Sequence, residues 1–133
     1  MSTQSVRGKA GEEHVCGWLR ENGWTVEARN YRIKGGEIDI VARKGGVLAF
    51  VEVKTRKFGS LTDGIGAVDR RKRSRIIRTA DRYIQEHPSD ADTISFDVAE
   101  VTVTSEDAPR VLDMDYLPNA FDSFSVFGKH EQY

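Results

Sequence analysis

Residues 36–54 read Gly36-Glu37-Ile38-Asp39-Ile40-Val41-Ala42-Arg43-Lys44-Gly45-Gly46-Val47-Leu48-Ala49-Phe50-Val51-Glu52-Val53-Lys54, and this stretch decides the fold. Two apolar runs flank a Gly-Gly pair, the pattern of a β-hairpin. With Gly45-Gly46 as a two-residue turn, Lys44 faces Val47 and facing residue numbers sum to 91. Asp39 then faces Glu52, and Glu37 faces Lys54. Strand side chains alternate, so these four charges share one face with Val41, Leu48 and Phe50. The other face carries Ile38, Ile40, Ala42, Ala49, Val51 and Val53. A four-residue turn keeps the same faces, whereas a three-residue turn sets polar positions against apolar ones and is disfavoured.

Two carboxylates opposite each other on paired strands repel, and burial sharpens the repulsion. A divalent cation relieves it. Mg²⁺ takes one or two protein carboxylates and keeps water ligands that a substrate phosphate can replace, and Mn²⁺ is the natural substitute. Asp39 and Glu52 are therefore the candidate metal ligands. Lys54, one pleat step beyond Glu52, is placed to orient an attacking water or to stabilise charge developing on a phosphate. The bland alternative is a salt-bridged polar end of the sheet, with Glu37 and Lys54 as an ordinary cross-strand pair. Four charges gathered on one face of an apolar hairpin favour the metal.

Outward from the hairpin, helical spacing runs from about Ser5 to Asn22, with Val15, Trp18 and Leu19 in a stripe that Ala10 or Gly11 extends by one turn. Asn22-Gly23 stops it. Gly8 and Gly11 weaken a helix, which suggests close packing on a sheet. Glu12 and Glu13, read alone, belong to a solvated face. Residues 24–32 look like a strand. Residues 55–68 read as a mobile loop beside the hairpin, and Gly64-Ile65-Gly66 lacks the preceding strand and third glycine of a nucleotide loop. A second helix runs from Asp69 to Gln85, with Ile76, Ile77, Ala80, Tyr83 and Ile84 on its apolar face. Its first half carries Arg70, Arg71, Lys72, Arg73, Arg75 and Arg78. Beside a carboxylate hairpin, Arg70, Arg71, Lys72 and Arg75, together with Arg56, are candidate phosphate contacts. Such contacts position nucleic acid without reading its sequence. Residues 93–103 alternate as a strand, and 110–114 pair back as an edge strand. Phe121, Phe124 and Phe127 punctuate a tail expected to pack over one end of the sheet.

The chain of 133 residues fits a single domain, expected over residues 1–116 with a tail at 117–133. Its net charge of −1 hides an asymmetry: residues 1–84 hold 18 Lys/Arg against 10 Asp/Glu, and residues 85–133 hold 2 against 11. A basic portion that also contains the carboxylates suits a polyanionic substrate. Cys16, the only cysteine, gives neither a disulfide framework nor a zinc cluster and reads as a small residue on a helix face. His14, His87 and His130 are scattered singly, which argues against a histidine metal site or triad. No apolar run approaches the roughly 18 residues of a membrane span, and the N-terminus lacks a signal peptide's apolar core. A cytoplasmic protein without membrane contact is the expectation.

The order helix, three strands, helix, strand, with Asp39 followed by Glu52-Val53-Lys54, resembles the PD-(D/E)XK nuclease superfamily, the restriction-endonuclease-like fold. The match is closer to the uncharacterised bacterial YraN family, which looks like a relative of archaeal Holliday-junction resolvases. Carrying it are Gly8-Lys9-Ala10-Gly11-Glu12, Arg29-Asn30-Tyr31-Arg32, Gly36-Glu37-Ile38-Asp39, Phe50-Val51-Glu52-Val53-Lys54-Thr55-Arg56 and Phe96-Asp97-Val98. The resemblance implies an α/β fold with a mixed sheet and flanking helices. It implies Mg²⁺ (or Mn²⁺) on Asp39 and Glu52, with Lys54 assisting water attack on a phosphodiester. It brings Glu12 in from the first helix as a further acid and includes Glu37 in the motif. Resolvase-like proteins of this fold act as homodimers, though nothing in the sequence marks a dimer surface. Ile38 rather than proline precedes Asp39, so the superfamily's first letter is absent; that proline is not a metal ligand.

Three functions remain open from sequence. The first is a Mg²⁺-dependent nuclease acting on DNA, branched or single-stranded. The second is a nucleic-acid-binding module that turns over nothing. The third is an accessory protein in DNA uptake or repair. Phosphate binding alone gains nothing from extra carboxylates, which favours the enzyme.

Overall fold

A computed structural model describes residues 5–60 and 68–122. The chain runs α1 (Val6–Glu21), β1 (Thr25–Ile33), β2 (Gly36–Lys44), β3 (Val47–Lys57), α2 (Arg70–Glu86), β4 (Thr93–Val103) and β5 (Val111–Phe121). Both helices start on side-chain caps: Ser5 Oγ accepts from the Gly8 N–H at 2.9 Å, and Asp69 Oδ1 from the Lys72 N–H at 2.8 Å. The five strands form one sheet in sequence order. Strands β3 and β4 are parallel, and the other neighbours are antiparallel. A parallel pair needs a long crossover, and α2 lies within it. The result is the mixed α/β sheet with flanking helices expected of a restriction-endonuclease-like core, with one more strand at the β4 edge.

The hairpin register is the expected one. Lys44 faces Val47, and the pairs Arg43↔Leu48, Ala42↔Ala49, Val41↔Phe50 and Ile40↔Val51 follow. The two faces divide the core accordingly. Val41, Leu48 and Phe50 join Phe96, Val98 and the α2 residues Ile76, Ala80 and Tyr83. Ile40, Ala42, Ala49 and Val51 join Ala99, Val101, Val103 and the α1 residues Val15, Cys16 and Leu19. Cys16 is buried core, as its helix position suggested.

Three differences have physical causes. Ladder pairing between β2 and β3 stops at Ile40↔Val51, so Asp39 does not face Glu52, nor Glu37 Lys54, as a paired register would place them. Beyond that point Asp39 Oδ2 accepts the Val53 N–H at 2.8 Å, and Ile38 packs in the α2-side core rather than the α1-side one. Residues 55–57, expected in a loop, continue β3 because β4 offers parallel partners at Val101, Thr102 and Val103. The edge strand, expected over residues 110–114, runs on to Phe121. Asp97, buried in β4, accepts from Tyr116 Oη at 2.5 Å and the Asn119 N–H at 3.0 Å, and it also bonds Ser95 Oγ. These bonds hold β5 in place, and the Phe121 ring stacks on Phe96 at 5.2 Å. Phe124, Phe127 and the Gly64-Ile65-Gly66 stretch lie outside the described residues. Among those described, no helix is long and apolar enough to cross a membrane.

Candidate active site

The site lies where β2 and β3 part. Glu52, on the α2 face of β3, is 8 % exposed, and its Oε2 meets Lys72 Nζ of α2 at 2.5 Å. Asp39 reaches across from β2 to the Val53 N–H, so its carboxylate takes the place of a backbone acceptor where the ladder has ended. A cleft of about 350 Å³ opens here, lined by Asp39, Glu52, Glu37, Arg32, Lys72 and Arg75 among others. A smaller one of about 140 Å³ opens toward α1, where Asp39 is lined up with Glu12, Arg7 and Thr55. Asp39 borders both.

Glu12 is 1 % exposed, not solvated. Its Oε1 accepts from Arg29 Nη2 at 2.7 Å, Arg29 Nε at 3.2 Å and Asn30 Nδ2 at 3.1 Å. A buried carboxylate requires such partners. Asn30 delivers its amide from a left-handed backbone, φ 54°, which asparagine tolerates better than most residues. Gly11 brings this turn of α1 against β3, for a Cβ there would sit 2.1 Å from Thr55 Oγ1. Gly36 does the same for α2 at the start of β2, where a Cβ would come within 1.9 Å of Thr79 Oγ1.

The electrostatics centre on Asp39. Burial pushes its carboxyl up to about 8, repulsion from Glu52 adds to the rise, the Val53 N–H pulls it back, and Glu12 and Glu37 raise it further. Burial opposes the charge on Lys72, but its contact with Glu52 outweighs that and holds the ammonium above its usual range. No three His, Cys, Asp or Glu among the described residues are arranged to hold a metal ion by themselves. Two carboxylates bordering an open cleft do meet the needs of Mg²⁺ or Mn²⁺, which fill their remaining positions with water and phosphate oxygens. A group that resists ionising until a cation arrives is the matching chemistry.

Of the sequence-derived candidates, Asp39, Glu52 and Glu37 share the larger cleft, and Glu12 approaches Asp39 from the α1 side. Glu37 pairs with Arg32 of β1, Nε to Oε2 at 3.3 Å. Lys54 follows Glu52 on the same face and neighbours Glu100 of β4 in the parallel register. Lys72, read as a phosphate contact, is tied into the cleft by Glu52. Arg75 borders both that cleft and an adjoining groove lined by Lys34, Arg71 and Arg78. Arg56 lies apart, in a groove at the end of β3. Sequence reasoning gave no role to Arg29 or Asn30, which hold Glu12. Both lie in a stretch that carries the family resemblance, but their contact with Glu12 follows only from β1 pairing beside β2, where Arg29 faces Ile40 and Tyr31 faces Ile38.

Comparison with known proteins adds the family. The profile described as "Uncharacterised protein family UPF0102" matches residues 11–101, from the glycine against Thr55 to the β4 core. The chain belongs to this family. Within UPF0102, it is 40 % identical over 116 residues to a protein of Dictyoglomus thermophilum, covering 86 % of this chain and 95 % of that one. A Nostoc member is 37 % identical over 127 residues, 84 % and 91 % of the two chains. One from Parafrankia is 43 % identical over 104 residues, 78 % and 88 %. Every candidate from Glu12 to Arg75 falls inside the UPF0102 match.

Proposed function

We propose that this UPF0102 protein is a Mg²⁺-dependent nuclease that hydrolyses phosphodiester bonds in DNA. The observation that carries the reading is the parting of β2 and β3, which leaves the carboxyl groups of Asp39 and Glu52 bordering one cleft beside the basic helix α2. Bound there, Mg²⁺ or Mn²⁺ would polarise a phosphoryl oxygen and activate water.

The chain's own residues supply the rest. Lys34, Arg71, Arg75 and Arg78 form a basic groove of about 280 Å³ next to the cleft, suited to flanking phosphates. Lys54 brings a cation to the same sheet face as Glu52, where negative charge develops on the phosphate. Glu12 and Arg29 act as a fixed wall behind Asp39, their ion pair at 2.7 Å keeping α1 and β1 in register. Lys72 holds Glu52 in one orientation before substrate arrives. A location inside the cell, where DNA is found, goes with this reading, as does a homodimer in its resolvase form.

One observation favours the second reading, a binding module without turnover: Lys72 compensates Glu52 with no metal required. Calorimetric titration with Mn²⁺ separates the two. The nuclease reading expects one saturable site in the wild type, lost in Asp39→Asn and in Glu52→Gln, together with cutting of labelled DNA that EDTA stops. DNA binding with no Mn²⁺ site would replace it with the binding module.

A further inference from the structure

On the α2 face of the sheet, the row that begins with Glu52 and Lys54 does not stop at the cleft. Arg56 comes next, about 6.6 Å further along the strand, because alternate residues share a face. Beyond it β3 ends at Lys57, and Phe58, the next residue, is 70 % exposed. The backbone beneath its ring is fixed. The Phe58 N–H donates to Val103 O at 2.8 Å, Gly59 turns the chain with φ 82°, and the Ser60 N–H closes the turn on Lys57 O at 3.0 Å.

Phe58 forms one wall of a groove of about 470 Å³ whose other walls include Arg56, Lys57, Thr102, Leu112 and Asp113. Leu112 is also exposed, at 51 %. The chemistry of these walls is divided. Cations and the Phe58 ring stand on the β3 side, the Thr102 hydroxyl lies on β4 between, and Leu112 and the Asp113 carboxylate stand on the β5 side. A nucleotide presents the chemistry these walls can take: a phosphate, a flat ring face, and an edge bearing N–H groups that a carboxylate or hydroxyl can accept.

We propose that this groove holds one unpaired nucleotide of the substrate, about 13 Å along β3 from Glu52, its base stacked on Phe58 and its phosphate on Arg56. Base-paired DNA offers no open ring face there, so the substrate is single-stranded, or unpaired a few nucleotides from the cut. This deepens the nuclease reading and rests on it for the place of the cut; the groove itself is a binding site that can be tested without cleavage.

The test is fluorescence anisotropy in EDTA, with a fluorescein-labelled oligothymidylate of about 20 nucleotides and a duplex of the same length as probes. Phe58→Ala is expected to weaken oligothymidylate binding about tenfold, in line with the loss of one stacked base. Duplex binding should change by less than about twofold, since phosphate contacts elsewhere carry it. Phe58→Trp should keep the single-strand affinity. An exposed side chain can be truncated without unfolding the sheet, and circular dichroism checks this. The inference is overturned if the wild type does not bind oligothymidylate, if Phe58→Ala leaves that binding unchanged, or if it weakens both probes equally. Because no metal is present, a failure to cut DNA leaves the result intact. A cutting enzyme with unaltered Phe58→Ala binding would lose the groove alone.

Discussion

Asp39→Asn should stabilise the protein in the absence of divalent cations, a reversal of what replacing a half-buried hydrogen-bonded carboxylate usually does. Asparagine keeps an oxygen for the Val53 N–H, now accepted at 2.8 Å by Oδ2. It removes the charge that burial and Glu52 make costly. The Asp39 carboxyl is raised from 3.8 to about 8, so between these values the folded protein holds a proton that the unfolded chain has released. Stability therefore falls as pH rises from about 4 to about 8 and levels off above that. Each unit corresponds to about 1.4 kcal/mol, which bounds the penalty at about 6 kcal/mol. Water entering the cleft and the nearby Lys72 ammonium relieve part of it, and we expect about 2 kcal/mol to be recovered at pH 8. Urea unfolding in EDTA at pH 5 and pH 8 measures it. The gain should shrink by more than half at pH 5, where the wild-type carboxyl is already protonated. Excess Mg²⁺ should stabilise the wild type and leave Asp39→Asn unchanged. A variant less stable than wild type at pH 8, or equally affected at both pH values, would refute the strain assigned to this cleft.

The other predictions concern its supports. Arg29→Ala strips the cationic partner from a carboxylate that is 1 % exposed and should cost about 3 kcal/mol in urea unfolding, with Glu12→Gln in the same background restoring part of it. Gly11→Ala drives a methyl into Thr55 Oγ1 and should cost about 1–2 kcal/mol despite alanine's better helix propensity; the double variant with Thr55→Ala should recover some of this, and strictly additive costs would contradict the contact. Tyr116→Phe leaves Asp97 short of a 2.5 Å hydrogen bond and should lower stability by about 1–3 kcal/mol, most of it in the attachment of β5 as read by hydrogen exchange. Arg71→Ala and Arg75→Ala should each reduce the salt dependence of DNA binding by about one unit of slope, across all sequences alike.

Much of the architecture was legible because one pattern over-determined it. Alternation within residues 38–53, split by Gly45-Gly46, assigned both faces of the hairpin, and only Ile38 departs, where the ladder gives way. The helices were equally clear from Asp69 and the Ile76–Ala80–Tyr83 spacing. What sequence periodicity could not show is where pairing stops. The opening after Ile40 depends on Asp39 capturing the Val53 N–H, a tertiary choice that competes with the ladder. The extent of β5 was hidden for a related reason: its side chains are mostly exposed and show no regular alternation of apolar and polar residues, and it is held by the buried Asp97. Glu12 shows the same limit. Its neighbours on α1 read as a solvated face, and its burial follows from Arg29 and Asn30, 17 and 18 residues away. Lys72 looked like one more cation in a basic run, yet its helical position points it at Glu52.

The most direct measurement is to incubate the purified protein with end-labelled single-stranded, duplex and four-way-junction DNA, in Mg²⁺, Mn²⁺ or EDTA, beside Asp39→Ala and Glu52→Ala. The account predicts metal-dependent cutting that both substitutions abolish, with the single strand cut in preference to duplex. Binding of all three DNAs without a cut under either metal would contradict it.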